Sequence, residues 1–310
     1  MDLLCSERIS PDNRFAETDR VVFGDVRVLN NLLDSECGYV PRVDYFKQVQ
    51  SDIKPFMRKM VTTWMLEVCE EQRCEDQVFP LAVNFLDRFL CSCDISRRQL
   101  QLISAVCLLL ASKVRQCHAL SVELLCYYSD NSISQSEMRT WELLALSRLE
   151  WDLSAVTGSD FVDHILERVT WPKDKPKIRS HSHTLVALCC TEPDLMRVRP
   201  SLVAAASLVA AVRGLHLSTG EELAWQVGAT VGADQPSLER MVAFVESLLS
   251  SEMSRSSTAA PPSPPSRPGA HRREAHGRRE RPEAGDAHRC PGYTLLKKGL
   301  RGTPLSVVNS

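Results

Sequence analysis

From about Asp44 to Ser250 the apolar residues recur three and four positions apart, and no stretch sustains the alternation of a strand. The spacing predicts helices near residues 55–72, 78–92, 97–114, 120–128 and 135–149, with breaks at Cys93-Asp94 and Asp130-Asn131. A second set is expected after Trp151-Asp152-Leu153. It begins near Ser159 and continues through His181 to Cys190, Ser201 to Val212, Gly220 to Val227 and Gln235 to Leu249, punctuated by Pro172, Pro176, Pro193, Pro200 and Pro236. Each set has a small-residue helix at its middle, Ser104 to Ser112 and Ala204 to Ala211, where short side chains let neighbouring helices approach closely. The fold class is therefore all-α, with two tandem five-helix groups.

One helix has more apolar surface than a single core needs. In FMRKMVTTWMLEVCEEQ, Met57, Met60, Val61, Trp64 and Val68 make one stripe, while Phe56, Leu66 and Cys69 fall outside it. A helix apolar most of the way round is either deeply buried or serves two partners.

Composition narrows the class. A chain of 310 residues, 44% hydrophobic and 25% charged, can bury one large or two small cores. No apolar run reaches the roughly 18 residues that span a bilayer, and MDLLCSERIS lacks a basic signal-peptide start. No membrane partner is expected, and the location expected is nucleus and cytoplasm. Cys69, Cys74, Cys107, Cys126, Cys189 and Cys190 lie in mostly apolar helical contexts and read as reduced small hydrophobes. The net charge of −2 hides an asymmetry: from Ser254 onward eleven basic residues face four acidic ones, a tail of +7, which leaves −9 for the rest. A core of that sign repels a phosphate backbone, so direct nucleic-acid binding is not expected. The tail, rich in Ser, Pro, Arg and Gly, is too poor in apolar residues to offset chain entropy and is expected to be disordered from about Ser254. Arg272-Arg273 and Arg278 to Arg281 fit an import signal, a weak nucleic-acid contact or a plain solvated tail.

Catalytic constellations are missing from the sequence. It contains no GxGxxG, GxxxxGK[ST] or HExxH, and the Cys91/Cys93, Cys189/Cys190 and Cys117-His118 pairs lack zinc-site spacing. His181 and His183 read as surface or interhelical residues. Neither a metal nor a cofactor is expected, and no catalytic residue.

MRKMVTTWMLEVCEEQ resembles the first helix of a cyclin box in the form found in D-type cyclins, and LASK at Leu110 to Lys113 and WELLALSRLEWDL from Trp141 continue the resemblance, which covers roughly residues 20 to 250. It implies a flexible N-terminus over 1–19, an N-terminal cyclin box with preceding helices over 20–153, a C-terminal cyclin fold over 154–253 and the tail over 254–310. It also implies that Lys113 and Glu142, with Leu146 four residues on, contact a kinase. Met57, Met60, Val61, Trp64, Glu67 and Gln101 are implied to form a groove for substrates and kinase-inhibitor proteins, Glu67 pairing with an arginine. Leu3, Cys5 and Glu7 form an LxCxE pattern, which in an extended segment places all three on one side, and which D-type cyclins use for retinoblastoma-family pocket proteins. Ser263 and Thr303, each before a proline, are expected phosphorylation sites, although the basic surroundings depart from the acidic tail usual in that family.

The expected function is that of a regulatory subunit, not an enzyme: it binds and activates cyclin-dependent kinase four or six and directs it to pocket proteins. Two alternatives share the fold. One is a D-like cyclin that sequesters pocket proteins or inhibitors without activating a kinase, and the other is a cyclin-fold transcription adaptor.

Overall fold

The computed structural model describes residues 19–171, 174–216 and 221–258. Among them are thirteen α-helices, one 3₁₀ turn and no strand. Three helices come first: α1 (Arg20–Gly24), α2 (Val26–Tyr39) and α3 (Tyr45–Gln48). The first five-helix group follows as α4 (Pro55–Gln72), α5 (Val78–Ser92), α6 (Arg97–Arg115), α7 (Val122–Tyr128) and α8 (Gln135–Arg148). The second is α9 (Gly158–Arg168), α10 (Lys175–Thr191), α11 (Pro200–Gly214), α12 (Glu221–Val231) and α13 (Gln235–Thr258). The described residues up to Leu248 make one compact unit, and the end of α13 from Leu249 is assigned to a second.

Local chemistry sets the boundaries. Capping boxes start α6 (Ser96 with Gln99), α8 (Ser134 with Glu137) and α9 (Thr157 with Asp160), each satisfying backbone N–H groups that the first turn leaves free. Asp130 and Asn131, after α7, both sit in the left-handed region that their short polar side chains tolerate. Two expectations are corrected. Pro176 does not separate helices but lies in the first turn of α10, where a missing N–H costs nothing, so α10 begins six residues before His181. At the other end α13 runs to Thr258, past the end expected at Leu249.

Each group is built round its small-residue helix. In α6 every residue from Leu102 to Ser112 is buried, and the Ser104 hydroxyl donates back to the Leu100 carbonyl at 2.8 Å, so the polar atom costs little. Phe79, Phe85, Phe89 and Met65 fill the space around it. Burying each such side chain contributes about 1.5–3 kcal/mol. In α11 the run Val203–Val212 is buried on all sides and packs with Phe161, Ile165, Val186 and Leu238. The first two helices, α1 and α2, precede the first group in sequence yet pack on the second. Leu29 of α2 belongs to its core, the Phe23 ring lies 4.8 Å from that of His164, and Glu36 accepts from the Ser201 amide and hydroxyl, both at 2.8 Å.

A buried ionic junction ties the two groups together. Arg58 on α4 is only 1% exposed and makes a two-pronged pair with Asp87 on α5, Nε to Oδ1 at 2.8 Å and Nη2 to Oδ2 at 2.7 Å. Its Nη1 donates to the carbonyls of Cys190 and Thr191 at the end of α10, at 3.1 and 3.2 Å, while the Tyr45 hydroxyl gives Asp87 a third donor at 2.8 Å. Burial works against the guanidinium charge, and the Asp87 carboxylate more than restores it. Lys59 pairs with Glu192 beside this junction, and Arg179 of α10 reaches both Asp163 and Asp76.

Candidate partner-binding sites

The first candidate site lies where the end of α6 meets α8. Lys113, in the last turn of α6, donates from Nζ to Oε1 of Glu142 on α8, with the two side chains 47% and 18% exposed. The structure thus brings these two predicted residues into direct contact. Leu146, one turn after Glu142, is half-buried and packs partly into the first core. Two residues that the sequence reading passed over flank the pair: Val114, exposed, and Leu143, 63% exposed. Each lies next in sequence to a member of the pair, yet outside the buried register of its own helix. That combination is the signal that would have found them. Trp151, exposed and left-handed at φ 59° after Glu150 at φ 55°, closes α8 with its amide on the Leu146 carbonyl at 3.0 Å. A left-handed backbone at a non-glycine residue carries strain, here at two successive positions.

The second candidate site is the outer side of α4. The helix buries Arg58, Val61, Thr62, Met65, Leu66, Val68 and Cys69, so its core face is rotated from the stripe read in the sequence. Val61 is only 3% exposed and belongs to the first core, which removes it as a surface contact. Phe56 and Met60 are exposed, Met57 and Trp64 are half-buried at the margin, and the Trp64 Nε1 donates to the Tyr128 carbonyl at 3.3 Å, which fixes the ring against α7. Gln101 is half-buried on α6, which packs against α4.

Glu67, on the same helix, is half-buried, and burial followed by the neighbouring Glu70 charge pushes its carboxyl up to about 7. A carboxyl that binds its proton more tightly when folded subtracts from stability above that value, and the subtraction fades as pH falls towards 4.5, the ordinary glutamate value. Glu67→Gln is therefore expected to raise unfolding stability by about 1 kcal/mol at pH 8, a figure reduced for the group's partial exposure. At pH 4 the gain vanishes. Urea titrations of both proteins at the two pH values check this.

Leu3, Cys5, Glu7, Ser263 and Thr303 lie outside the described residues. Among the described residues, no group of three or more His, Cys, Asp and Glu side chains is placed to hold a metal, and no helix is long and apolar enough to cross a membrane. His183, read as surface or interhelical, is buried on α10.

Residues 27–154 match the family model for the cyclin N-terminal domain, and residues 156–264 that for the cyclin C-terminal domain. The chain is 50% identical over 222 residues to the G1/S-specific cyclin-D2 of Xenopus laevis, covering 71% of this chain and 76% of that one. It belongs to the D-type cyclins. The G1/S-specific cyclin-D3 of Homo sapiens is 43% identical to this cyclin over 274 residues, covering 85% of this chain and 91% of that one. Among solved structures, a viral cyclin from Herpesvirus saimiri superposes with a TM-score of 0.66 at 26% identity, covering 72% of this chain and 97% of that one. The match with G1/S-specific relatives makes this chain a cell-cycle cyclin. In this cyclin, Lys113, Glu142 and α4 all fall within the first matched domain.

Proposed function

We propose that this cyclin is the regulatory subunit of a serine/threonine kinase, cyclin-dependent kinase four or six, and that it directs the kinase to retinoblastoma-family pocket proteins in the nucleus and cytoplasm. The observation that carries the reading is the meeting of Lys113 and Glu142 from two helices beside exposed Val114 and Leu143. Opposite charges set in an apolar surface fix the orientation of a partner, while apolar contacts supply affinity. Leu146 supports that surface from below.

Gripped there, the kinase's own regulatory helix is held inward, so that its lysine–glutamate pair and activation segment reach the catalytic arrangement. Shifting a kinase from mostly inactive to mostly active takes a preference of about 5 kcal/mol between its two states. This chain supplies binding energy and no reacting group. The outer side of α4, with Met57, Met60, Trp64, Glu67 and Gln101, takes arginine- and leucine-containing segments of substrates and inhibitor proteins. Leu3, Cys5 and Glu7 hold pocket proteins.

Reconstitution tests the reading. Purified chain mixed with either kinase is expected to raise phosphorylation of both a pocket protein and a short peptide. Glu7→Ala is expected to lower the rate on the pocket protein several-fold while leaving the rate on the peptide unchanged. A chain that leaves both kinases idle refutes the regulatory role, and equal rates for the Glu7 variant remove the amino-terminal motif.

A further inference from the structure

The end of α4 brings together two cysteines that the partner-binding sites do not use. Arg73 adopts a left-handed conformation (φ 52°, ψ 46°), and the Cys74 amide turns back to donate to the Cys69 carbonyl at 2.9 Å, with the Arg73 amide on the Glu70 carbonyl at 3.2 Å. This double closure stacks the residue just beyond the left-handed one over the residue five earlier, where two apolar side chains usually touch. Here both are thiols, and they hydrogen-bond to each other. Cys69 is buried against the first core, whereas Cys74 is only half-buried.

We propose that Cys69 and Cys74 form a redox-modifiable dithiol, in which Cys74 reacts with a hydroperoxide and Cys69 resolves the product to an intramolecular disulfide. The surroundings favour that division of labour. The hydrogen bond from Cys69, helped by the Gln116 side chain, lowers the Cys74 thiol below its ordinary value, despite burial. The same hydrogen bond, and then burial, hold Cys69 as a thiol. Cys91, Cys107, Cys126, Cys189 and Cys190 are all shifted upward, chiefly by burial, Cys190 to about 12. Thiolate character combined with access is what makes a cysteine reactive.

The chemistry balances without a metal or cofactor. The Cys74 thiolate attacks the terminal oxygen of the hydroperoxide, the O–O bond breaks, and the departing alkoxide is protonated to an alcohol, or to water from hydrogen peroxide. The Cys69 sulfur then attacks the Cys74 sulfenic acid, and the S–O bond breaks. Hydroxide leaves with the Cys69 proton as water. Two thiols lose two electrons, and one hydroperoxide gains them. Gln116 then loses its thiolate partner while keeping its own contacts to the Glu75 amide and the His118 carbonyl.

Arg73 makes the test direct, because trypsin cuts between the two cysteines and leaves Cys69 as the only cysteine of fragment 60–73 and Cys74 as the only cysteine of fragment 74–88. The reduced full-length chain is treated with hydrogen peroxide, its remaining thiols are alkylated, and the digest is read by mass spectrometry. The disulfide-linked pair of fragments is expected to form at least tenfold faster than exposed Cys37 or Cys117 is oxidised. With Cys69→Ser, Cys74 is expected to accumulate as a sulfenic acid trapped by dimedone. The proposal is overturned if Cys37 or Cys117 reacts first, if Cys69 links to a different cysteine, or if both thiols remain open to alkylation.

Discussion

Arg58→Ala is expected to destabilise the folded chain by about 3–5 kcal/mol, the cost of leaving one member of a buried ion pair without its partner. The loss extends beyond Asp87, because the same guanidinium satisfies the Cys190 and Thr191 carbonyls from the second helical group. Two further variants separate charge from geometry. Arg58→Lys keeps the charge but not the fork, so it cannot serve Asp87 and two carbonyls at once, and it falls between alanine and the parent. Replacing the pair with Arg58→Met and Asp87→Leu removes the charge problem but leaves both carbonyls and the Tyr45 hydroxyl short of partners, so full stability does not return. Guanidinium titrations followed by circular dichroism measure all three. A loss under 1 kcal/mol for Arg58→Ala would show that the junction is not what holds the groups together.

The second large effect concerns the proposed kinase partner. Lys113→Ala combined with Glu142→Ala is expected to lower kinase binding and activation at least 100-fold while changing unfolding stability by less than about 1 kcal/mol, the usual value of a partly exposed pair. An exchange of the two charges, Lys113→Glu with Glu142→Lys, is more telling. It rebuilds the pair within this chain and so restores its stability, yet it presents each charge to a partner in the wrong place. The exchanged variant is expected to melt with the parent and to stay inactive with the kinase. Full activation by either variant would remove these residues from the interface.

Most helices were legible because their signals are local: a 3.6-residue period, a Ser or Thr cap with its Gln, Glu or Asp three positions on, and turn residues at the breaks. The start of α10 was misjudged because proline looks the same at a helix start as between helices, and only the backbone tells the two apart. Nothing in the sequence of α2 says that its Leu29 and Glu36 belong to the second core, since that depends on where the chain returns 165 residues later. Arg58 was missed for a related reason. A lone arginine reads as solvent-facing, and its burial makes sense only beside Asp87, itself a single acid in the apolar run VFPLAVNFLDRFL. At the candidate sites the residue types were readable, but the rotation of α4 was not. Val61 and Met60 are neighbours in the stripe, and packing sends one inward and leaves the other in water.

Before any encounter, Lys113 and Glu142 already satisfy each other. A polyanion or polycation that would take either side chain alone must compete with that ion pair. Only a surface that offers an acceptor to the first and a donor to the second recovers both sides of the exchange. Selectivity in such a molecule begins in its resting state, with an occupied handhold that strangers have no reason to open.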